Sequence, residues 1–227
     1  MRKITLTFLF FALLSCVTIA QKPKSWTEWT KKDVEKMLND SAWGQTQTET
    51  DTSEMNVTFG VSGGTDGARN QAIDLKYHVM FFSAKPIREA FARKVLLDNP
   101  KIVPAQLQNF VDGDYSEVIV VAVTYESTDR RYTGPVDQAF RSATSATLKN
   151  KCYLERKDGK RIFLEEYAQQ GSDGTGAKFV FPRMVDGKPF LTERNDSIRF
   201  VAEFSSKIRV DRKFKVSEMM YDGKLEY

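Results

Sequence analysis

The chain has 227 residues, 41% of them hydrophobic, with 34 basic and 30 acidic side chains and a formal charge of +4. That apolar supply is ordinary for a folded domain and excludes a disordered chain, which would be much poorer in it. Two of the positive charges, Arg2 and Lys3, fall in a leader expected to be removed. The remaining 32 basic and 30 acidic groups are too evenly balanced for a dedicated nucleic-acid binder.

The leader has the three parts of a bacterial-type export signal. Arg2 and Lys3 precede an apolar run over residues 8–14, and Thr18-Ile19-Ala20 before Gln21 suits a signal peptidase. A transmembrane anchor is the rival. From Ile4 to Ala20 there are 17 residues, three threonines and a serine among them, near the low end of the ~17–25 a spanning helix needs. Charge layout and exit site favour the cleaved signal over residues 1–20. A second processing route is open at Leu13-Leu14-Ser15-Cys16, which resembles a lipobox and would leave Cys16 acylated. Val17, Thr18, Ile19 and Ala20 are unlike the polar tether of such lipoproteins. The expected address is the periplasm or the medium, with membrane anchoring through Cys16 as the alternative. Cys16 is thus discarded or lipidated, so Cys152 has no disulfide partner and core packing must hold the fold.

Residues 21–227 read as a single α+β domain, and 21–54 as its tether, first helix and polar loop. Thr30 and Asp33 have capping-box spacing, Trp29 and Val34 have that of a hydrophobic staple, and the helix runs to about Asn39. Trp26, Trp29 and Trp43 crowd this region; anchorage of a terminal helix explains them better than a ligand platform. Residues 45–54 read as a loop, 55–61 as a strand and the glycine-rich 61–70 as a flexible loop.

Ile73, Leu75, Tyr77, Val79 and Phe81 alternate as in a strand. Pro86 opens a helix stopped by Pro100, and a second runs from Pro104 to about Asp112. Residues 118–123, apolar and largely β-branched, suit a central strand covered on both faces. Gly134-Pro135 begins another helix. From Lys149 the pattern is all-β, with hairpin turns at Asp158-Gly159 and Asp186-Gly187 and strands over 198–204 and 207–216. The expected architecture is a mixed sheet with interleaved helices in the N-terminal half, followed by an antiparallel meander.

The chemistry is sparse. His78 alternates with the apolar set, and no Gly-x-Ser-x-Gly elbow accompanies it, so a hydrolase triad is disfavoured. Cys152 shares a face with Leu154 and reads as a buried structural thiol. One Cys and one His do not make a zinc site, and Asp112-Gly113-Asp114 with Glu117 lacks the full calcium-loop ligand series. Gly171 to Lys178 approaches a phosphate loop, but a strand rather than a helix follows. Lys207, Arg209, Lys213 and Lys215 form a basic stripe suited to an anionic polymer or lipid headgroups. A solvated or edge-strand face explains the same residues.

Several stretches together resemble a family of exported acidobacterial proteins without an assigned activity. They are 25–33 (Ser-Trp-Thr-Glu-Trp-Thr-Lys-Lys-Asp), 39–43, 83–86, 134–136, 154–161 and 218–227. The resemblance implies an envelope or secreted location and carries over no catalytic residue. The expectation is an exported binding or accessory module rather than an enzyme. It has no cofactor and no assigned catalytic or metal residue, and its partner is an envelope component or another exported protein. The alternatives are a carboxylate-dependent hydrolase of envelope glycans, with two carboxyls ~5–10 Å apart in an aromatic cleft, and a carrier with an enclosed apolar cavity under the C-terminal sheet.

Overall fold

The computed structural model describes residues 24–51 and 73–227. The leader with Cys16, the strand expected over 55–61 and the glycine-rich loop over 61–70 lie outside the described residues. No described helix is long and apolar enough to cross a membrane.

The chain folds as an α+β structure in which two antiparallel sheets face each other and helices cover the larger one. Helix α1 (Lys31–Asn39) begins with the expected box: Asp33 N–H donates to Thr30 Oγ1 at 3.2 Å, and Thr30 N–H to Asp33 Oδ2 at 2.8 Å. Trp29 and Trp43 are buried. Their indole N–H groups donate to the carbonyls of Lys24 and Glu226, at 3.2 and 2.7 Å, so the rings tie down the segment before α1 and the C-terminal segment.

Strand β1 (Gly44–Asp51) occupies most of the stretch read as a polar loop, which corrects that expectation. Its pairing with β2 (Ile73–Phe81) sets Gln45, Gln47 and Glu49 opposite Val79, Tyr77 and Leu75. A strand this polar is stable because it is an edge strand, and the Gln47 side chain completes a second edge. The Gln47 amide donates from Nε2 to the Arg209 carbonyl at 2.9 Å and accepts the Asp211 N–H at 2.7 Å. Thr46, Thr48 and Thr50 add β-branched side chains that suit the pleat. At Gly44 an added Cβ would lie 2.3 Å from the Leu38 carbonyl oxygen, so only glycine lets β1 pass this close to α1.

After β2 come α2 (Lys85–Asp98), α3 (Pro104–Val111) and β3 (Val118–Ser127). Helix α4 (Arg130–Ser142) starts before the expected Gly134-Pro135, because Asp129 caps it by accepting the Arg131 N–H at 2.9 Å. Pro135 is thus inside a helix rather than its first residue. Short α5 (Ser145–Leu148) leads to β4 (Cys152–Arg156), β5 (Arg161–Phe163), β6 (Glu166–Ala168) and β7 (Ala177–Pro182). Asp158-Gly159 forms the expected β4–β5 hairpin.

Asp186-Gly187 also turns as expected, with positive φ at both residues (52° and 70°). It joins a smaller hairpin, β8 (Met184–Val185) and β9 (Lys188–Pro189), because residues 179–181 belong to β7 and pair with β3. The chain ends with β10 (Ser197–Glu203), β11 (Arg209–Lys215), β12 (Met220–Tyr221) and β13 (Lys224–Leu225).

The five-stranded sheet runs β1-β2-β3-β7-β6 and the four-stranded sheet β11-β10-β4-β5. Every recorded pairing is antiparallel, and β6 and β7 from the C-terminal half complete the N-terminal sheet. Strand β3 is central, as expected. Between the sheets Phe81 meets Phe214 edge-on at 4.9 Å, and Phe179 meets Phe200 at 5.2 Å. On the opposite face of the larger sheet, Phe82 packs with Phe91 and Phe110 under α2 and α3, at 5.8 Å from each.

Replacing Gln47 by Ala leaves the Arg209 carbonyl and Asp211 N–H without their partner. The expected loss is about 1–3 kcal/mol, read from urea unfolding; unchanged stability would refute the edge-joining role.

Candidate functional site

The candidate site is a cleft of about 630 Å³ between α1, α2 and the helix-covered face of β2. Its position follows from the α1 stripe. Val34 and Leu38 point inward one turn apart and form one wall with Met80, while Phe91 and Leu97 of α2 form the other. Leu97 is 37% exposed and lies at the opening. The charged lining is self-paired: Lys31 with Glu35 at 3.9 Å on α1, and Lys94 with Asp98 at 2.8 Å on α2.

His78 also lines this cleft, and its side chain is 15% exposed. It faces away from the apolar set of β2, as alternation predicts, yet that side is roofed by helices rather than open to water. The register of three adjacent strands surrounds the ring: Thr46 on β1 and Thr124 on β3 lie opposite His78. Nδ1 is 3.0 Å from Thr46 Oγ1, which donates to the Asn39 carbonyl at 3.2 Å. Nε2 is 3.4 Å from Glu126 Oε1, on a carboxylate 64% exposed. Hydroxyl, imidazole and carboxylate stand in a row, but Thr46 is engaged by the Asn39 carbonyl. The set is therefore better suited to holding a ligand than to nucleophilic attack.

Thr46 and Glu126 were not legible as neighbours of His78, since β1 reads as a loop. The register alone brings the three together.

The basic stripe lies on and beside β11, at the edge of the smaller sheet. Arg209 is 3.0 Å from Asp211 and 3.6 Å from Glu203, and Lys215 is 2.9 Å from Glu218. Arg199 also holds Asp211, at 2.5 Å. Lys213 lines a shallow groove with Lys157 and Arg199, and Lys207 is exposed outside the strand. Much of the stripe's charge is thus met locally, as on a solvated face.

Cys152 is fully buried on β4, and burial pushes its thiol well above the ordinary range, which makes a nucleophilic thiolate unfavourable. Asp112 is held by Lys85 at 2.9 Å and Gln108 at 2.6 Å, and Asp114 accepts the Ser116 N–H at 2.8 Å. Among the described residues no group of three or more His, Cys, Asp or Glu could hold a metal ion. Lys178, in the phosphate-loop-like stretch, is bound within its own turn to Thr175 at 2.7 Å and Asp173 at 3.2 Å, and β7 follows.

Two carboxylates bear on the hydrolase alternative. Asp137 lines a cleft with Tyr125 and Phe140, accepts the Tyr125 hydroxyl at 2.8 Å and pairs with Arg141 at 2.8 Å. It is the one carboxylate in that lining. Glu89, on α2, is 4% exposed and accepts the Tyr221 hydroxyl. Its neighbours Ala90 and Phe91 are also buried, but a charged residue in the helix gave no sign that it would join them.

Burial raises the Glu89 carboxyl above its ordinary 4.5, against the lowering effect of the Tyr221 hydrogen bond. A carboxyl that holds its proton more tightly when folded contributes stability at low pH and loses it as pH rises through the folded value. Asp33, Asp112 and Asp196 act in the opposite sense. Donors from Thr30, Gln108 and Lys157 hold them below 3.8, so their contribution disappears only in stronger acid. Glu89→Gln is therefore expected to flatten the decline in stability above pH 4.5, measured by urea unfolding across pH. An unaltered decline would contradict the assignment.

No protein-family model matches this chain, and no curated protein or solved structure matches it either.

Proposed function

We propose that this protein is an exported, non-catalytic binding module of the bacterial envelope, and that its ligand is a small, largely apolar molecule seated between α1 and α2. The observation that carries the reading is the cleft itself. Its volume of about 630 Å³ lies within the ~300–1,000 Å³ of small-molecule sites. Its walls are aliphatic and aromatic, its charged rim is self-paired, and a few polar groups converge on its floor. That combination favours an apolar body over a polyanion or a polysaccharide.

The space beneath the C-terminal sheet, where a carrier's cavity would be expected, is filled by Phe179, Phe181, Phe200 and Phe214, each fully buried. The carrier reading therefore belongs to the helix-covered face. Export, with processing after Ala20 or acylation at Cys16, rests on the leader's charge layout and exit residues. The acidobacterial resemblance supports the same address.

Two measurements test the proposal. Native mass spectrometry of protein purified from its own host is expected to release an apolar molecule, and Leu97→Trp, which narrows the opening, to reduce its retention about tenfold or more at unchanged stability. Retention unaffected by Leu97→Trp would place the ligand elsewhere. The same spectrum is expected to show a chain beginning at Gln21; a diacylated Cys16 would establish the lipoprotein route, and an intact leader would refute export processing.

A further inference from the structure

We propose that the edge of β11 beyond Gln47 is a docking site for an extended acidic peptide, which adds to the smaller sheet as a further strand. The proposal concerns a different surface from the cleft and does not depend on it.

Backbone phase identifies the open groups. In an antiparallel pair, residues that exchange hydrogen bonds alternate with residues that do not. The β10–β11 ladder is bounded by bonds from Phe204 N–H to the Ile208 carbonyl and from Val216 N–H to the Asp196 carbonyl, each 3.0 Å. In this register Val210, Arg212 and Phe214 turn their peptide groups to β10, and Arg209, Asp211, Lys213 and Lys215 turn theirs outward. Gln47 verifies the phase, since its amide meets the Arg209 carbonyl and the Asp211 N–H, both of the outward set. The next groups along the edge are the Asp211 carbonyl and the N–H and carbonyl of Lys213. Among the described residues none of these three has a hydrogen-bond partner. An edge that already takes an amide side chain in strand fashion offers the same pattern, one step on, to a peptide.

Charge says which peptide. The edge borders a groove of about 560 Å³ that includes Gln45, Lys213 and Lys215. The acids of the groove are taken: Asp196 is held by Lys157, and Glu218 by Lys215 at 2.9 Å. Lys213 is in no ion pair among the described residues, so the groove keeps one uncompensated positive charge. On the opposite face of the same strand, the Nε–H of Arg212 is buried with no acceptor. Leaving such a donor unpaired is costly, and an acceptor brought by a partner removes the cost. Side chains of an added strand alternate between the two faces. Adjacent acids therefore bring one carboxylate to the face of Lys213 and the next to that of Arg212. Lysines along an edge deter pairing with a second, equally basic copy of β11, and the same charge favours an acidic strand.

The probe is acetyl-Val-Glu-Glu-Val-Thr-amide, compared with its Gln-Gln analogue and with the same acidic peptide methylated on its backbone nitrogens. Each is titrated into the purified protein at low ionic strength, while hydrogen exchange of the Lys213 amide is followed by nitrogen-15 NMR. The acidic peptide is expected to slow that amide and to bind about tenfold tighter than either control. The advantage should vanish in Lys213→Pro, which deletes the outward N–H and spares the β10 ladder. If that variant does not fold, the three-peptide comparison on the unaltered protein decides. Equal binding of the methylated peptide overturns strand addition, and equal binding of the Gln-Gln analogue overturns the acidic preference. Absence of binding overturns both. A Lys213 amide already slow to exchange without peptide shows the edge covered by this chain or by a second copy, and also overturns the proposal.

Discussion

Phenylalanine packing between the two sheets is the constraint on which the remaining architecture depends. Cys152 is a free, buried thiol, so no covalent link ties the sheets together through it. Phe81 and Phe179 of the larger sheet engage Phe214 and Phe200 of the smaller one. Edge-on aromatic pairs of this kind add roughly 0.5–1.5 kcal/mol each beyond the burial of their surface. Because these rings fill the space between the sheets, any room for a ligand has to lie on another face. The helices provide it, since α1, α2 and the helix-covered face of β2 line the cleft.

The same packing explains why β1 tolerates so polar a sequence. An edge strand needs a partner along one side only, and its exposed backbone invites unwanted pairing. Gln47 answers part of that need by reaching the Arg209 carbonyl and the Asp211 N–H. One side chain thus stands in for a peptide group and closes the corner where the two sheets meet. The closure also fixes β1 relative to β2, which in turn sets Thr46 beside His78. The sheet-joining contact and the neighbour of His78 therefore meet on a single strand, with glutamines on one face and threonines on the other.

Much of the fold was legible locally. The capping box at Thr30, the alternation through β2, the prolines in the first turns of α2 and α3, and the Asp-Gly turns each act over a few residues, where short-range geometry dominates. Misreadings arose where a distant partner changes the outcome. Residues 45–54 look like a loop until β2 and β11 are present to pair with them. The segment around Gly134-Pro135 looks like a helix start until Asp129 is seen to cap the chain earlier. The basic stripe reads either as a polyanion surface or as a solvated face, and the structure sets Asp211, Glu203 and Glu218 beside it.

What the sequence determined by itself was the class of the molecule, an α+β fold with most of its helices and strands placed along the chain. These depend on composition and on periodicities within single elements. Only the tertiary structure decided where a cleft opens and which groups surround the one imidazole. Thr46, His78 and Glu126 are separated by tens of residues, and strand register alone sets them side by side. Register is a long-range property, set by pairing and burial across elements, and no local pattern in the chain encodes it.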